Sequence, residues 1–273
     1  MRAFHEQRIY LDTCHLRAAR TRGLDFLAHW HAEAELIFLT AGQLRIGVNN
    51  QLLTLTAGQI VLVAPLDIHY YERCGDADGF MLIFATEFLD RQLLAQSALW
   101  TIAAGERLVQ LTGLAALLVT EMQERQPFFE LAASGLLRQF FAVLNRPDPA
   151  VRREPAGLLS RAKGFQTIQA ILAHLEEHYR EPLSRADIAA RYNLSVAHFS
   201  RLFKAATGMT LIDYLTRLRL AAARQAISQT GQTMLAIALD NGFDSIRTFN
   251  RAFRKVYRQT PSACRAAGRT APS

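Results

Sequence analysis

Ala197, Ser200, Arg201 and Lys204 fall at i, i+3, i+4 and i+7, and Arg247, Asn250, Arg251 and Arg254 repeat that spacing fifty residues later. On a helix this spacing marks one face. Guanidinium, ammonium, amide and hydroxyl groups on one face supply the donors that reach base edges and phosphates in a major groove. Ser200, Arg201, Arg247, Asn250 and Arg251 are the candidates for base or near-base contact, and Ala197 and Ile246 could meet thymine methyls. Lys204, Arg254 and Lys255 suit phosphates, which set affinity without reading sequence. One basic face is commonly just a solvated one. Two in register are hard to explain by packing alone.

The flanking residues say how such faces would be positioned. Asp187 to Ser195 and Leu235 to Ser245 each read as a first helix and a tight turn. A small residue, Ala189 or Ala238, lets two helices cross closely, and Asn193 or Gly242 four positions on tolerates the left-handed backbone of the turn. An apolar plug follows (Leu194, Phe243), then an N-cap: Ser195 in one copy, Asp244 or Ser245 in the other. Behind the basic faces, Val196, Phe199, Phe203 and Ile246, Phe249, Phe253 have the spacing of a core stripe. Both copies read as helix-turn-helix units.

Leu194-Ser195 through Arg201-Leu202-Phe203-Lys204 resembles the first recognition helix of the AraC/XylS transcription regulators. Ala238 through Gly242-Phe243, then Phe249, Arg251, Phe253 and Thr260-Pro261, resembles that family's second-unit signature. The similarity covers about the last hundred residues. Arg258 stands where the family usually has Gly and Cys264 where it usually has Tyr, both beyond the second recognition helix. The resemblance implies a cytoplasmic DNA-binding regulator, more often an activator working with RNA polymerase, with a small-molecule effector bound in an N-terminal barrel.

Composition agrees with a two-part chain. At 273 residues, half of them apolar, there is enough chain for two cores. The net charge of +7 is unevenly spread: from Phe165 onward there are 15 basic and 7 acidic residues, while the 16 basic and 17 acidic residues before it nearly cancel. The positive excess sits with the helix-turn-helix half, as contact with a polyphosphate requires. Cys14, Cys74 and Cys264 are odd in number and far apart, which suits a reducing compartment without a disulfide framework. Charges at Arg2, Glu6 and Arg8 interrupt any signal-peptide run, and the apolar run from Leu114 to Val119 is far short of a bilayer span. No membrane partner is expected.

The N-terminal half reads as strands. Ile9-Tyr10-Leu11 is a candidate short strand, and Arg17 to Arg22 form a basic patch. Leu36 to Leu39 is a strand that Gly42 ends, Leu44 to Val48 alternates, and Asn49-Asn50 is a hairpin signal leading into Leu52 to Leu55. Ile60 to Val63 and Phe80 to Phe84 complete a set of short antiparallel strands of the kind that make a small barrel or jelly roll. Gly23, His29-Trp30-His31, Glu35 and Gly42 have spacings similar to the first motif of the cupin barrel, and Gly58 with His69 has the span of the second. Pro65 is one place later than usual, and Arg73 replaces a common Asn. In metal-binding cupins the corresponding residues, here His29, His31, Glu35 and His69, hold a cation. Imidazoles with one carboxylate suit Zn, Ni, Fe or Mn, and the three residues from the first motif share a strand face. Regulatory cupins also keep such histidines as pocket walls, so metal and organic effector both remain open. Trp30, Phe38, Arg45, Tyr70 and Tyr71 are candidate walls.

From Glu87 to Asn145 the pattern turns helical. Leu108, Leu111, Leu114/Ala115, Leu118 and Met122 form one stripe, and Leu131, Gly135, Leu136, Phe140 and Val143 another after Pro127. The pair resembles a dimerisation hairpin, with a helical cap on the barrel as the alternative. Arg146-Pro147 through Pro155-Ala156-Gly157 reads as a linker. Phe165 to Tyr179 is a leading helix, and Leu211 to Ile227 is a long connector between the two units.

The expected architecture is therefore α+β with two domains: 1–146 a cupin-like β-barrel with a helical hairpin, 147–164 a linker, 165–267 an all-α double helix-turn-helix, and 268–273 a tail. The leading reading is a homodimeric, effector-controlled regulator of double-stranded DNA with no catalytic residues and no certain cofactor. The alternatives are a metal-responsive regulator using the His/Glu set, or a metal-dependent cupin enzyme with an accessory DNA-binding module.

Overall fold

The computed structural model describes residues 15–95, 97–154 and 164–269. The candidate strand at Ile9-Tyr10-Leu11, residues 155–163 of the expected linker and residues 270–273 of the expected tail lie outside them. The chain forms two compact units that meet in sequence at Lys163 and Gly164.

The first unit contains strands β1 (Leu16–Arg22), β2 (Phe26–His29), β3 (Ala34–Val48), β4 (Gln51–Thr56), β5 (Gln59–Val63) and β6 (His69–Phe84). A 3-10 turn (Thr86–Phe88), the short α1 (Arg91–Leu94), β7 (Ala98–Ile102), α2 (Glu106–Glu124), α3 (Phe129–Asn145) and β8 (Val151–Arg153) follow. The strands make one antiparallel sheet in the order β1-β6-β3-β5-β7-β8, with β2 added to β6 and β4 to β3.

Two strands carry this sheet. β3 and β6 run for 15 and 16 residues, so the runs expected to be separate strands at Leu36 to Leu39 and Leu44 to Val48 are one. Gly42 bends β3 instead of ending it. Pairing with β6 slips between Leu39 and Ala41 and again between Gly42 and Leu44, and Gly42 has φ +74° with its α-carbon hard against the Asp76 carbonyl, where a Cβ would lie 1.8 Å from the oxygen. These bulges change which residues face inward: Ile37 and Leu39 before the bend, Leu44, Ile46 and Val48 after it. The hairpin signal at Asn49-Asn50 is real, since both residues have positive φ and join β3 to β4.

The two faces of the sheet are buried differently. One packs Ile37, Leu39, Leu44, Ile46, Val48, Leu55, Val61, Val63 and Tyr71 together with no helical residue among them, so the sheet must curl over on itself in barrel fashion. The other face (Leu36, Phe38, Phe80, Leu82, Phe84) is covered by α2 and α3 through Leu111, Leu118, Leu137, Phe140 and Phe141.

Several expectations change here. β7 lies inside the stretch read as helical, because Leu99-Trp100-Thr101-Ile102 is rich in β-formers and pairs with β5. On α3 the buried stripe is Ala133, Leu137, Phe140, Phe141, Val143 and Leu144; the expected Phe140 and Val143 belong to it, while Leu131 is 74% exposed and Gly135 and Leu136 lie off it, so the apolar face is rotated in the first half of the helix. The expected linker opens as part of the sheet: β8 pairs with β7, Arg153 stacks over the Trp100 ring, and Asp148 is bound by Arg107 at 2.8 Å.

The second unit is all helical: α4 (Phe165–His178), α5 (Arg185–Arg191), α6 (Val196–Thr207), α7 (Leu211–Gln229), α8 (Met234–Asp240), α9 (Ile246–Tyr257) and α10 (Pro261–Arg269). Among the described residues no helix is long and apolar enough to cross a membrane.

Phe140 is fully buried beside Phe38 and Phe141, with ring centroids at 6.2 and 5.9 Å. Phe140→Ala should therefore destabilise the first unit by about 3–5 kcal/mol. Denaturant unfolding followed by tryptophan fluorescence will measure this, and an unshifted midpoint would contradict the assignment of α3 to the core.

Candidate functional site

In the second unit the two turns fold as their residue types require. Asn193 (φ 54°) and Gly242 (φ 79°) are left-handed, and α6 and α9 start on Ser195 and Ser245, whose hydroxyls accept from the His198 and Thr248 amides at 3.2 Å. Of the two cap candidates in the second copy, Ser245 is used. Each following helix is anchored by a fully buried pair one turn apart. Phe199 and Phe203 stand at 5.5 Å and Phe203 meets Tyr214 of α7, while Phe249 and Phe253 stand at 5.5 Å beside Phe243. Val196 does not join the stripe and is 44% exposed, because it occupies the first helical position where the chain leaves the turn. Ile246 is partly buried against the second core.

With the phenylalanines inward, the opposite stripe is outward. Ala197, Arg201, Lys204, Arg247, Arg251, Arg254 and Lys255 are exposed, and Ser200, Asn250 and Ile246 are partly exposed at the edges of the stripe. All ten candidate DNA contacts lie on α6 and α9.

One contributor escaped the sequence reading. Arg219 on α7 donates from Nε to the Tyr179 carbonyl at 2.6 Å and from Nη2 to the Glu181 carbonyl at 2.8 Å. The Gly242 turn packs on the same segment, where a Cβ would stand 2.7 Å from the Arg180 oxygen. Residues 179–181, α7 and the second turn are thereby fixed to one another. Nothing in the local pattern around Arg219 marks it, since its partners are backbone carbonyls about forty residues away.

The first unit holds a second cluster. His29, His31, Glu35 and His69 are buried, and one ligand atom of each lies within 4.8 Å of all the others. Strand alternation brings them together: His29 at the end of β2, Glu35 on β3 and His69 on β6 all point to the inner face. Each ring has its Nδ1 against a backbone carbonyl, Leu27 at 2.8 Å for His29, Glu33 at 3.1 Å for His31 and Asp67 at 3.0 Å for His69. A carbonyl only accepts, so each Nδ1 carries the proton. Glu35 Oε2 lies 3.0 Å from His31 Nε2 and 3.5 Å from His69 Nε2, and Oε1 accepts from the Tyr71 hydroxyl at 2.6 Å. Burial and the neighbouring His69 hold His29 well below the usual histidine range. Burial alone would raise the Glu35 carboxyl, but the adjoining His31 and His69 rings outweigh it and hold the carboxyl well below its usual range.

The other wall candidates are placed elsewhere. Arg45 pairs with Glu72 at 3.2 Å, and the Tyr70 ring covers Gly47, so both belong to the outer face, one residue out of step with His69 and Tyr71. Phe38 packs beneath the helices. Trp30 is buried, but the alternation that joins His29 to His31 turns it the other way.

Residues 15–141 match the AraC-like ligand binding domain family, and residues 188–267 match a helix-turn-helix domain family. The HTH-type transcriptional activator RhaS of Pectobacterium carotovorum is 28% identical over 262 residues, 90% of each chain. Regulatory protein SoxS of Escherichia coli is 35% identical over 95 residues, which are 35% of this chain and 89% of SoxS. The right origin-binding protein of Escherichia coli is 40% identical over 98 residues, 36% of this chain and 34% of that one.

Arg258 closes α9 with φ 57°, the position at which Gly208, with φ 71°, closes α6. A non-glycine residue there costs about 1 kcal/mol. Arg258→Gly should raise the stability of the second unit by that order, read as an increase in its unfolding midpoint. A decrease would show that the Arg258 side chain contributes more than its backbone costs.

Proposed function

The chain belongs to the AraC family of transcription regulators, and on that footing we propose that α6 and α9 enter the major groove and that a ligand in the N-terminal sheet controls their binding. Arg201, Ser200, Arg247, Asn250 and Arg251 read or approach bases, while Lys204, Arg254 and Lys255 hold phosphates. The observation that carries this reading is the doubled basic stripe: two helices, each locked by a buried phenylalanine pair, present equivalent cations to solvent fifty residues apart. α7 has 19 residues and is about 28 Å long at 1.5 Å per residue, so it suits a connector between sites one helical turn of DNA apart.

Finer features follow from the same reading. The description of the RhaS relative as an activator favours activation, with RNA polymerase as the further partner. Val109, Leu117, Phe128 and Leu131 are exposed on α2, α3 and the turn between them, which supports a homodimer joined through that hairpin. The N-terminal unit acts by binding and not by catalysis, a reading supported by its match to a ligand-binding domain family and by the regulator relatives.

DNA selected by the full chain from a random pool will supply the specific site. On that site Arg251→Ala should weaken binding by about 1–3 kcal/mol and relax preference at one position, with the circular dichroism spectrum unchanged. An unchanged isotherm would remove Arg251 from the reading surface. Lys255→Ala should weaken all sequences alike and lower the salt slope by about 1. A sequence-dependent loss would instead make Lys255 a base reader.

A further inference from the structure

The inner face of the sheet carries the apolar group of Ile37, Val61, Val63 and Tyr71, and Tyr71 joins it to the His29, His31, Glu35 and His69 cluster. One ligand atom of each of the four residues lies within 4.8 Å of the others, a spacing over which a single ion can be shared. Because each Nδ1 is committed to a carbonyl, each Nε2 of a neutral ring carries a lone pair. His31 Nε2 and Glu35 Oε2, two acceptors, nevertheless stand 3.0 Å apart. A proton on His31 would reconcile that pair alone. His69 Nε2 would still be buried, 3.5 Å from the same oxygen, with no hydrogen-bond partner among the described residues. A cation reconciles them all.

We propose that the ligand of this unit is a divalent first-row transition ion, of the Zn(II) class, held by His29, His31 and His69 through Nε2 and by Glu35 through Oε2. The proposal rests on reading the N-terminal unit as the ligand-binding domain. Three imidazoles and a carboxylate without thiolate suit Zn(II), Ni(II) or Fe(II) and disfavour Mg(II), which takes oxygen ligands. Ligands about 2.0–2.1 Å from a tetrahedral ion stand about 3.3 Å apart, and the 3.0 and 3.5 Å separations at Glu35 bracket that edge. The Nδ1-to-carbonyl bonds are the outer contacts that orient ligating imidazoles.

Tyr71 sets the coordination number. Its hydroxyl holds Oε1 at 2.6 Å, so Glu35 offers one oxygen and the described residues supply four ligands. Four protein ligands retain a tetrahedral ion and leave no position for a substrate, in keeping with sensing. Tyr71 is thus a positioning residue, acting through Glu35.

The test uses the full chain, stripped with chelator and titrated with Co(II), Zn(II) and Mg(II) alone. Stoichiometric Co(II) uptake with the intense visible absorption of a four-coordinate ion, displaced by Zn(II) and indifferent to Mg(II), is expected. Glu35→Gln and His69→Ala should each weaken uptake by more than the roughly 10–100-fold that loss of an outer partner costs. Far-ultraviolet dichroism will show whether they fold, and the wild-type spectrum decides the matter if they do not. Tyr71→Phe should keep stoichiometric uptake, about tenfold weaker, with the cobalt bands weakened as Glu35 chelates with both oxygens. An unaltered Tyr71→Phe spectrum would overturn its positioning role.

No uptake, or equal uptake of Mg(II), would overturn the metal site and reduce the cluster to an imidazolium–carboxylate pair. Binding to the pool-selected DNA, measured with Zn(II) and with chelator, should differ at least about fivefold. Metal uptake with unaltered DNA affinity would overturn the ion's role as effector. Failure to select any DNA would overturn the underlying reading instead, whatever the cobalt spectrum shows.

Discussion

The rotation of each recognition helix about its own axis is fixed by two buried phenylalanines one turn apart, Phe199 with Phe203 and Phe249 with Phe253. Neither pair can turn outward without exposing two large aromatic faces, each worth about 1.5–3 kcal/mol of burial. That constraint determines where the charge goes. Arg201 and Lys204 on α6, and Arg247, Arg251 and Arg254 on α9, can only face water or a ligand. Gly242, Arg219 and the 179–181 carbonyls then set α9 against α7 with hydrogen bonds and close backbone contact instead of side-chain packing alone. The geometry that reads DNA is thus inherited from a core that never touches it.

The sheet unit obeys a comparable constraint. Strand alternation and two bulges in β3 decide what faces inward, and they gather four polar side chains into an otherwise apolar interior. Buried polar groups need partners. Leu27, Glu33 and Asp67 supply carbonyls for three imidazoles, and Tyr71 supplies a hydroxyl for Glu35, which leaves the Nε2 atoms of His31 and His69 beside Glu35 Oε2. The chemistry of that point follows from which atoms are already committed.

The second unit was largely legible because its signals are local. Helical spacing of phenylalanines, a left-handed Asn193 or Gly242 and a serine cap all act within a dozen residues. Val196, at the helix start, differs from the expected stripe, Arg219 has partners too distant to read locally, and α10 takes in Gly268 and Arg269 of the expected tail. In the histidine and glutamate set, His29, His31 and Glu35 are likewise local, while His69 joins them only through the pairing of β6 with its neighbours. The sheet was harder. Gly42 reads as a stop but serves as a bend, and this changes the facing of every later residue in β3. Arg45 consequently falls outside the interior, and Tyr70 does so because it alternates with His69 and Tyr71. β7 lies among helical signals and β8 in the stretch read as linker, and both become strands because a sheet edge is there to receive them.

The central claim is that both stripes meet one face of the same DNA. Hydroxyl-radical footprinting of the full chain on its selected site tests it directly, with Arg201→Ala and Arg251→Ala run alongside. Two protected patches about one helical turn apart, each weakened by a different one of the two substitutions, are the result that the account requires. A single patch, or two patches that respond alike to either substitution, would contradict it.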